Sequence, residues 1–524
     1  MEHLHHETTK RRRRLDRGIS RRGLVGLGAA AIAGVGGTAI GLKTGFTNDA
    51  TAAVAAPPPA HGVITSHAAH APHAAQVASP EATPAPPPFA GVSGEPLTEP
   101  PVRTSANGVL ETTLEAKIGP AKVAGKDVTS YVYEGSFPGP TLRLHPGDTL
   151  KVQLVNGLND ITNLHTHGFH VSPRDNSDNI FLHINPGETF DYEYKLPADH
   201  SPGMYWYHPH GHGNTGKQTN GGMAGVILID GGLDEVPGIA GLTERLLILQ
   251  GTEFDGNGNL IPYDNQSNVT RQRFVNGQLN PTIAIRPGET QRWRIANISS
   301  DNFFLLALAG HQLHQIASDG NPFDVVVPQD QILIAPSERV EVLVQASTQP
   351  GSYELRTLLW GEDYQAEPDQ LLATMAVAGE AMTPAPLPTA LIPYEDLRNV
   401  PVDNVRVTTF EEPPAPLYLA IDGKHFDPDR VDQTVKLGAT EEWIVRNTSS
   451  EWHPFHIHVN DFQVVARDGV AVDSHGYQDT VPLPPNSETT IRMKFLDFSG
   501  KFVYHCHILS HEDFGMMAVV EVVE

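Results

Sequence analysis

One turn-and-strand pattern recurs three times along this chain and commits it to a repeated β architecture. Pro146, Gly147, Asp148 and Thr149 lead to Asn156; Pro287, Gly288, Glu289 and Thr290 lead to Asn297. A worn third copy, Leu437, Gly438, Ala439 and Thr440, leads to Asn447, and the glycine-to-asparagine interval is the same in all three. Each copy follows its own turn, Phe137 to Thr141, Asn276 to Thr282 and Ile421 to Lys424. The glycines are spaced by about the length of one β-sandwich domain, so the chain holds three. Apolar and polar residues alternate over 149–155, 291–295 and 442–445, as in half-buried strands. Valine, isoleucine and leucine runs at 225–229 and 518–523 read as sandwich interiors. Long helices find little support. The reading is all-β, with domains at 104–235, 236–390 and 391–524.

Chemistry is concentrated at the C-terminal end. The run from Tyr504 to Met517 holds the only cysteine, Cys506, between His505 and His507, with His511 five residues on and Met516 ten residues on. A thiolate, an imidazole and a thioether are the donors that blue copper prefers. On a strand, neighbours of Cys506 face away from it, so His505 and His507 are free to serve other metals. Met517 competes with Met516 on chemistry alone, but the ten-residue spacing favours Met516.

Three further clusters carry His-x-His pairs: His165 with His167, His208 with His210, and His456 with His458, the last preceded by His453. An extended backbone sends both rings of such a pair to one face, where they straddle two neighbouring metals. Any one pair is weak evidence. With the C-terminal run they supply ten histidines beside one cysteine and one methionine, an inventory that suits four coppers.

The four motifs, in this order, resemble the multicopper oxidases, and specifically their three-domain laccase-like branch, over roughly residues 104–524. The resemblance implies cupredoxin-like Greek-key sandwiches. It implies a type 1 copper on His453, Cys506 and His511 with Met516 axial, and a type 2 copper on His165 and His456. It also implies a type 3 pair sharing His167, His208, His210, His458, His505 and His507. Electrons from a small reducing substrate would reach the type 1 site at His453, with its ring edge near the surface, and pass through Cys506 to reduce dioxygen. Glu512 matches the family's proton-delivering carboxylate. Asp178 resembles the acid near the type 2 copper, with Asp175 as rival. His212 falls outside the pattern and reads as solvated or supporting. His311 and His314, the only histidines of the second domain, read as structural.

The first hundred residues are a different kind of chain. Arg11 to Arg14, Arg17, Arg21 and Arg22 precede a glycine- and alanine-rich apolar stretch, Gly23 to Leu42. This resembles a twin-arginine export signal over residues 1–49, giving a periplasmic, cell-surface or extracellular protein without stable membrane insertion once the signal is removed. Residues 50–103 read as an Ala/Pro/His-rich disordered linker, too poor in large apolar residues to fold alone. The irregular spacing of His61, His67, His70 and His73 fits low-complexity drift better than a copper store. The whole chain carries 36 basic and 61 acidic residues, net −25. Without residues 1–49 the balance falls to about −30, which disfavours nucleic acid as a partner. One cysteine excludes an internal disulfide.

The expected activity is one-electron oxidation of phenols or aromatic amines coupled to reduction of dioxygen. Oxidation of cuprous, ferrous or manganous ions is the alternative, with the acidic loop Glu362, Asp363, Glu367 and Asp369 as a conceivable supplier of ligands. The eight methionines are scattered, which argues against a dedicated cuprous oxidase. A non-enzymatic envelope scaffold of the same fold is a third reading; relatives of that kind lose copper ligands, and this chain keeps every one.

Overall fold

The computed structural model describes residues 93–268, 271–362, 365–415 and 417–524. The signal region and most of the linker lie outside them. Six sheets form three sandwiches of one topology. In each, the strand that follows the repeated glycine, Thr149–Asn156, Thr290–Asn297 or Thr440–Asn447, runs parallel to the sandwich's long early strand, Val109–Val123, Thr243–Thr252 or Asn404–Glu411. In each, the closing strand, Gly225–Ile229, Gln370–Val377 or Met517–Val523, runs parallel to a short strand before the repeat. Parallel neighbours cannot be joined by a hairpin, so the chain crosses between sheets, which is the Greek-key pattern. One apolar core fills each sandwich, centred on Tyr192 and Tyr207, on Trp293 and Phe304, and on Trp443 and Phe455.

The repeated residues do the same work three times. Gly147, Gly288 and Gly438 sit at φ +84°, +76° and +84°, a turn conformation that side chains disfavour. The buried asparagines clamp the loop at the far end of the strand. Asn156 Nδ2 donates to the carbonyls of Asp160 and Ile184, Asn297 Nδ2 to Asn302 and Ile334, and Asn447 Nδ2 to Glu451 and Leu483. Each asparagine Oδ1 then accepts from the backbone two residues on.

Two expectations need correction. Residues 93–103 are not disordered linker: Ser93 and Pro96 bridge to the second sandwich, and Val102–Thr104 pairs with Thr141–Leu144. Leu97 packs on the second core, so an apolar residue anchors a segment that composition alone left loose. The polar face of 290–297 does not meet water either. Arg292 and Arg294 are buried against Glu341 and Glu244, which pair them at 2.6 and 2.7 Å.

The first and third sandwiches are stitched together directly. His170 bridges the Val459 carbonyl and Asp497, both at 2.8 Å. Asp513 accepts from the backbone N–H groups of Gly213 and Gly216 at the start of the short helix Thr215–Gly221. Among the described residues no helix is long and apolar enough to cross a membrane.

Candidate metal centres

In the first sandwich His165–His167 pairs with Gly203–His208, setting His165 opposite His208. In the third, His453–Ile457 pairs with Gly500–Cys506, setting His456 opposite His505 and Phe455 opposite Cys506. Opposed residues share a face and adjacent ones alternate, so His456 and His505 point out of the third core while Cys506 points into it. The two histidine faces meet at the junction. His165, His167, His208, His210, His456, His458, His505 and His507 are all at most 1% exposed.

The rings interleave across the junction. His165 stacks on His458 with centroids 3.9 Å apart, and His167 on His456 at 3.8 Å. His505 Nε2 lies 3.2 Å from His210 Nε2 and 3.3 Å from His458 Nε2. Rear nitrogens are tied down. Nδ1 of His208 donates to Pro209 O, of His456 to Asp479 O and of His505 to Cys506 O, while His165 Nδ1 donates to Asp178 at 2.9 Å. A proton fixed on Nδ1 leaves the Nε2 lone pair free and aimed inward.

Metal ions fit this arrangement. Nε2 of His165, His167, His208, His456 and His507 is buried with no hydrogen-bond partner. Each such atom costs about 1–3 kcal/mol when unsatisfied, a penalty that a bound cation removes. Burial, reinforced by neighbouring imidazoles, holds His167, His208, His210, His456, His458 and His507 well below the usual histidine range. Burial likewise lowers His505 to about 3. The rings are therefore neutral, as ligands must be.

A second group lies on the core side of the same strand. Cys506 Sγ is 3.5 Å from His453 Nδ1 and 3.7 Å from His511 Nδ1, and those nitrogens are 3.2 Å apart. Met516 is buried in the same apolar cluster as Cys506, whereas Met517 faces a separate one with Ile180 and Val503. Burial pushes the Cys506 thiol up, so ionisation there needs a cation's help.

One expectation about this group is wrong. His453 is fully buried, its Nε2 covered by Ser449 Oγ at 2.8 Å and Glu412 Oε1 at 3.2 Å. The partly exposed ring is His511, 14% exposed, on the short surface helix Leu509–Asp513.

Glu512 is wholly buried between the groups, 3.3 Å from Nδ1 of both His210 and His505. Burial, with Asp513 adding to it, raises its carboxyl well above the ordinary range. Asp178 is buried and also accepts from the Thr166 backbone, while Asp175 sits exposed at φ +54°. His212 stands outside the cluster, exposed against the Phe426 ring. His311 is satisfied by Ala309 O and the Ser347 N–H, and His314 lies half-buried on the strand Leu313–Ser318.

Sequence reasoning missed Asp479, which lies behind His167 and His456, and Glu412 and Glu451, which face the outer nitrogens of His453 and His511. None belongs to a spaced motif, so no local signal marks them.

Family profiles described as multicopper oxidase match residues 115–233, 245–378 and 398–524. A multicopper oxidase of Staphylococcus haemolyticus is 29% identical over 427 residues, covering 79% of this chain and 89% of that protein. The solved structure of a Campylobacter jejuni multicopper oxidase, described as a metallo-oxidase, superposes with TM-score 0.74 at 29% identity, covering 82% of this chain and 96% of that one. A laccase from Pediococcus acidilactici gives TM-score 0.73 at 29% identity, covering 83% and 96%. With three matched domains and the histidine and cysteine groups at their junction, the chain belongs to the multicopper oxidase family.

Proposed function

We propose that this protein is a laccase-like oxidase of phenols or aromatic amines. Four donors each lose one electron, and dioxygen with four protons becomes two waters. Four copper ions, held as one type 1, one type 2 and a type 3 pair, supply the one-electron couples when bound. His453, Cys506, His511 and Met516 would hold the first, His165 and His456 the second, and His167, His208, His210, His458, His505 and His507 the pair.

The observation that carries this reading is a contrast in exposure: His511 offers a partly exposed ring edge, while the eight-histidine cluster is sealed. A donor therefore meets His511 and never the oxygen-reducing site. Cys506 joins the two through one peptide bond on either side, to His505 and His507. Aromatic surface lies close by in the chain. Trp452, next to His453, packs on Trp360 at 5.3 Å, and Phe514, three residues after His511, is 70% exposed. Such surfaces favour ring-shaped donors. Burial strengthens the hold of Glu512 on a proton beside His210 and His505, where reduction would consume it. The twin-arginine-type N-terminus supports export, which suits a protein that folds around its metals before crossing a membrane.

A second reading, metal-ion oxidation, draws on Glu412 and Glu451. Their oxygens lie 3.2 Å from His453 Nε2 and 3.8 Å from His511 Nε2, and Glu412 Oε1 and Glu451 Oε2 are buried without a hydrogen-bond partner. They replace most of the acidic loop as candidate metal-ion ligands. Glu367 is buried against Arg273, Asp369 pairs with Arg356, and Asp363 lies outside the described residues. Oxygen uptake by the copper-loaded protein, with phenols, aromatic amines and cuprous, ferrous and manganous ions side by side, separates the readings. Turnover with metal ions alone overturns the first, and no turnover with any donor favours a scaffold.

A further inference from the structure

We infer that the second sandwich, which supplies no metal ligand, positions the cluster through Arg339 and Asp319. This rests on the copper assignment proposed above. Arg339 opens the strand Arg339–Gln345 and is 1% exposed. Its guanidinium grips Asp479 of the third sandwich as a two-pronged fork, Nη1 to Oδ1 at 2.9 Å and Nη2 to Oδ2 at 2.7 Å. Its Nε donates to the Met204 carbonyl of the first sandwich at 3.1 Å. One side chain thus touches all three sandwiches.

Asp319 completes the clamp. Its Oδ1 accepts from the Arg339 backbone at 2.9 Å, and its Oδ2 from the backbone N–H groups of Asp479 and Thr480 at 3.3 and 3.2 Å. Ser337, next but one to Arg339, bonds Thr480 Oγ1 at 2.9 Å. Asp479 therefore has no freedom to turn.

What Asp479 faces gives the clamp its purpose. Its carboxylate lies 3.5 Å from His167 Nδ1 and 3.7 Å from His456 Nδ1, and its own carbonyl accepts from His456 Nδ1 at 2.8 Å. One residue thus stands behind a ligand assigned to type 3 copper and one assigned to type 2. On His456 the carbonyl fixes the proton on the rear nitrogen and leaves the front lone pair free, while His167 Nδ1 lies against the fork itself, 3.3 Å from Arg339 Nη1. The space for it is reserved: Gly168, at φ +81° directly after His167, is where a Cβ would collide with both the Asp479 carboxylate and the Arg339 guanidinium. Asp319 is a positioning residue that acts through Asp479, and Arg339 is one that acts both through Asp479 and by its own contact with His167.

The test compares wild type with Asp479→Asn, which keeps the shape and removes the charge, and Arg339→Lys, which keeps the charge and removes the fork. Copper per chain is measured against a graded chelator series, with the type 2 signal followed by electron paramagnetic resonance and the blue type 1 band as internal reference. The expected result is about 10–100-fold weaker retention of cluster copper and an altered type 2 signal. The blue band, and its rate of bleaching by a reducing substrate, should match wild type. Variants that keep the blue band, all cluster copper and the wild-type type 2 signal overturn the inference. Loss of the blue band together with cluster copper in both variants assigns the pair to folding alone and overturns it as well. A wild type that binds no copper fails the assignment itself, a distinguishable outcome.

Discussion

Glu512 Oε1 lies 3.3 Å from Nδ1 of His210, with both side chains fully buried. A carboxyl whose hold on a proton is strengthened by burial, beside the rear nitrogen of a proposed ligand, is placed to deliver protons rather than to balance charge. We predict that Glu512→Gln keeps the blue colour and full copper content but slows turnover by about two to four orders of magnitude. Stopped-flow bleaching by substrate should remain fast while recovery under oxygen becomes slow. Normal recovery would move the proton role to Asp178 or to water.

Cys506→Ser should abolish the blue band and all oxidase activity while copper still binds at the eight-histidine cluster. The two methionines should differ, because only Met516 shares the Cys506 core cluster. Met516→Leu is expected to keep the colour and raise the type 1 potential, since a lost thioether stabilises the oxidised ion less. Met517→Leu should leave the potential where it was, as measured by redox titration of the blue band.

The carboxylates at the outer nitrogens distinguish classes of donor. If metal ions dock there, Glu412→Gln together with Glu451→Gln raises KM for ferrous or cuprous ion about tenfold, equivalent to losing roughly 1.4 kcal/mol of binding. KM for a neutral phenol should change little. Steady-state oxygen uptake with both donors reads the difference, and parallel changes for both would remove the carboxylates from metal recognition.

Asn297 offers a test of the repeat away from any metal. Asn297→Ala strips two backbone carbonyls and one N–H of their partner in a buried loop. The expected cost is about 1–3 kcal/mol. Thermal unfolding should shift down while the blue band at low temperature stays intact.

Legibility in the sequence followed physical locality. The His-x-His pairs and Cys506 were readable because metal chemistry needs particular donors and a strand delivers them at a spacing of two. The repeated asparagines were readable because one buried hydrogen-bonding task recurs in each sandwich. Arg339 and Asp479 were not, since they are 140 positions apart and meet only when the second and third sandwiches pack. The exposure of His453 was misjudged for a similar reason. Which imidazole edge meets water depends on Glu412, 41 positions upstream, folding over the ring.

The pairing of His210 with His505 spans 295 positions, nearly from the first folded sandwich to the end of the chain. Domains made early on a ribosome fold early. A nascent chain can therefore complete its first two sandwiches while holding only half of the cluster, with four histidines and nothing opposite them. Both centres thus await the strand Gly500–Cys506 and the residues just after it, and a stop codon before Gly500, which removes His505, Cys506, His507 and His511, leaves two complete sandwiches and neither group of donors whole.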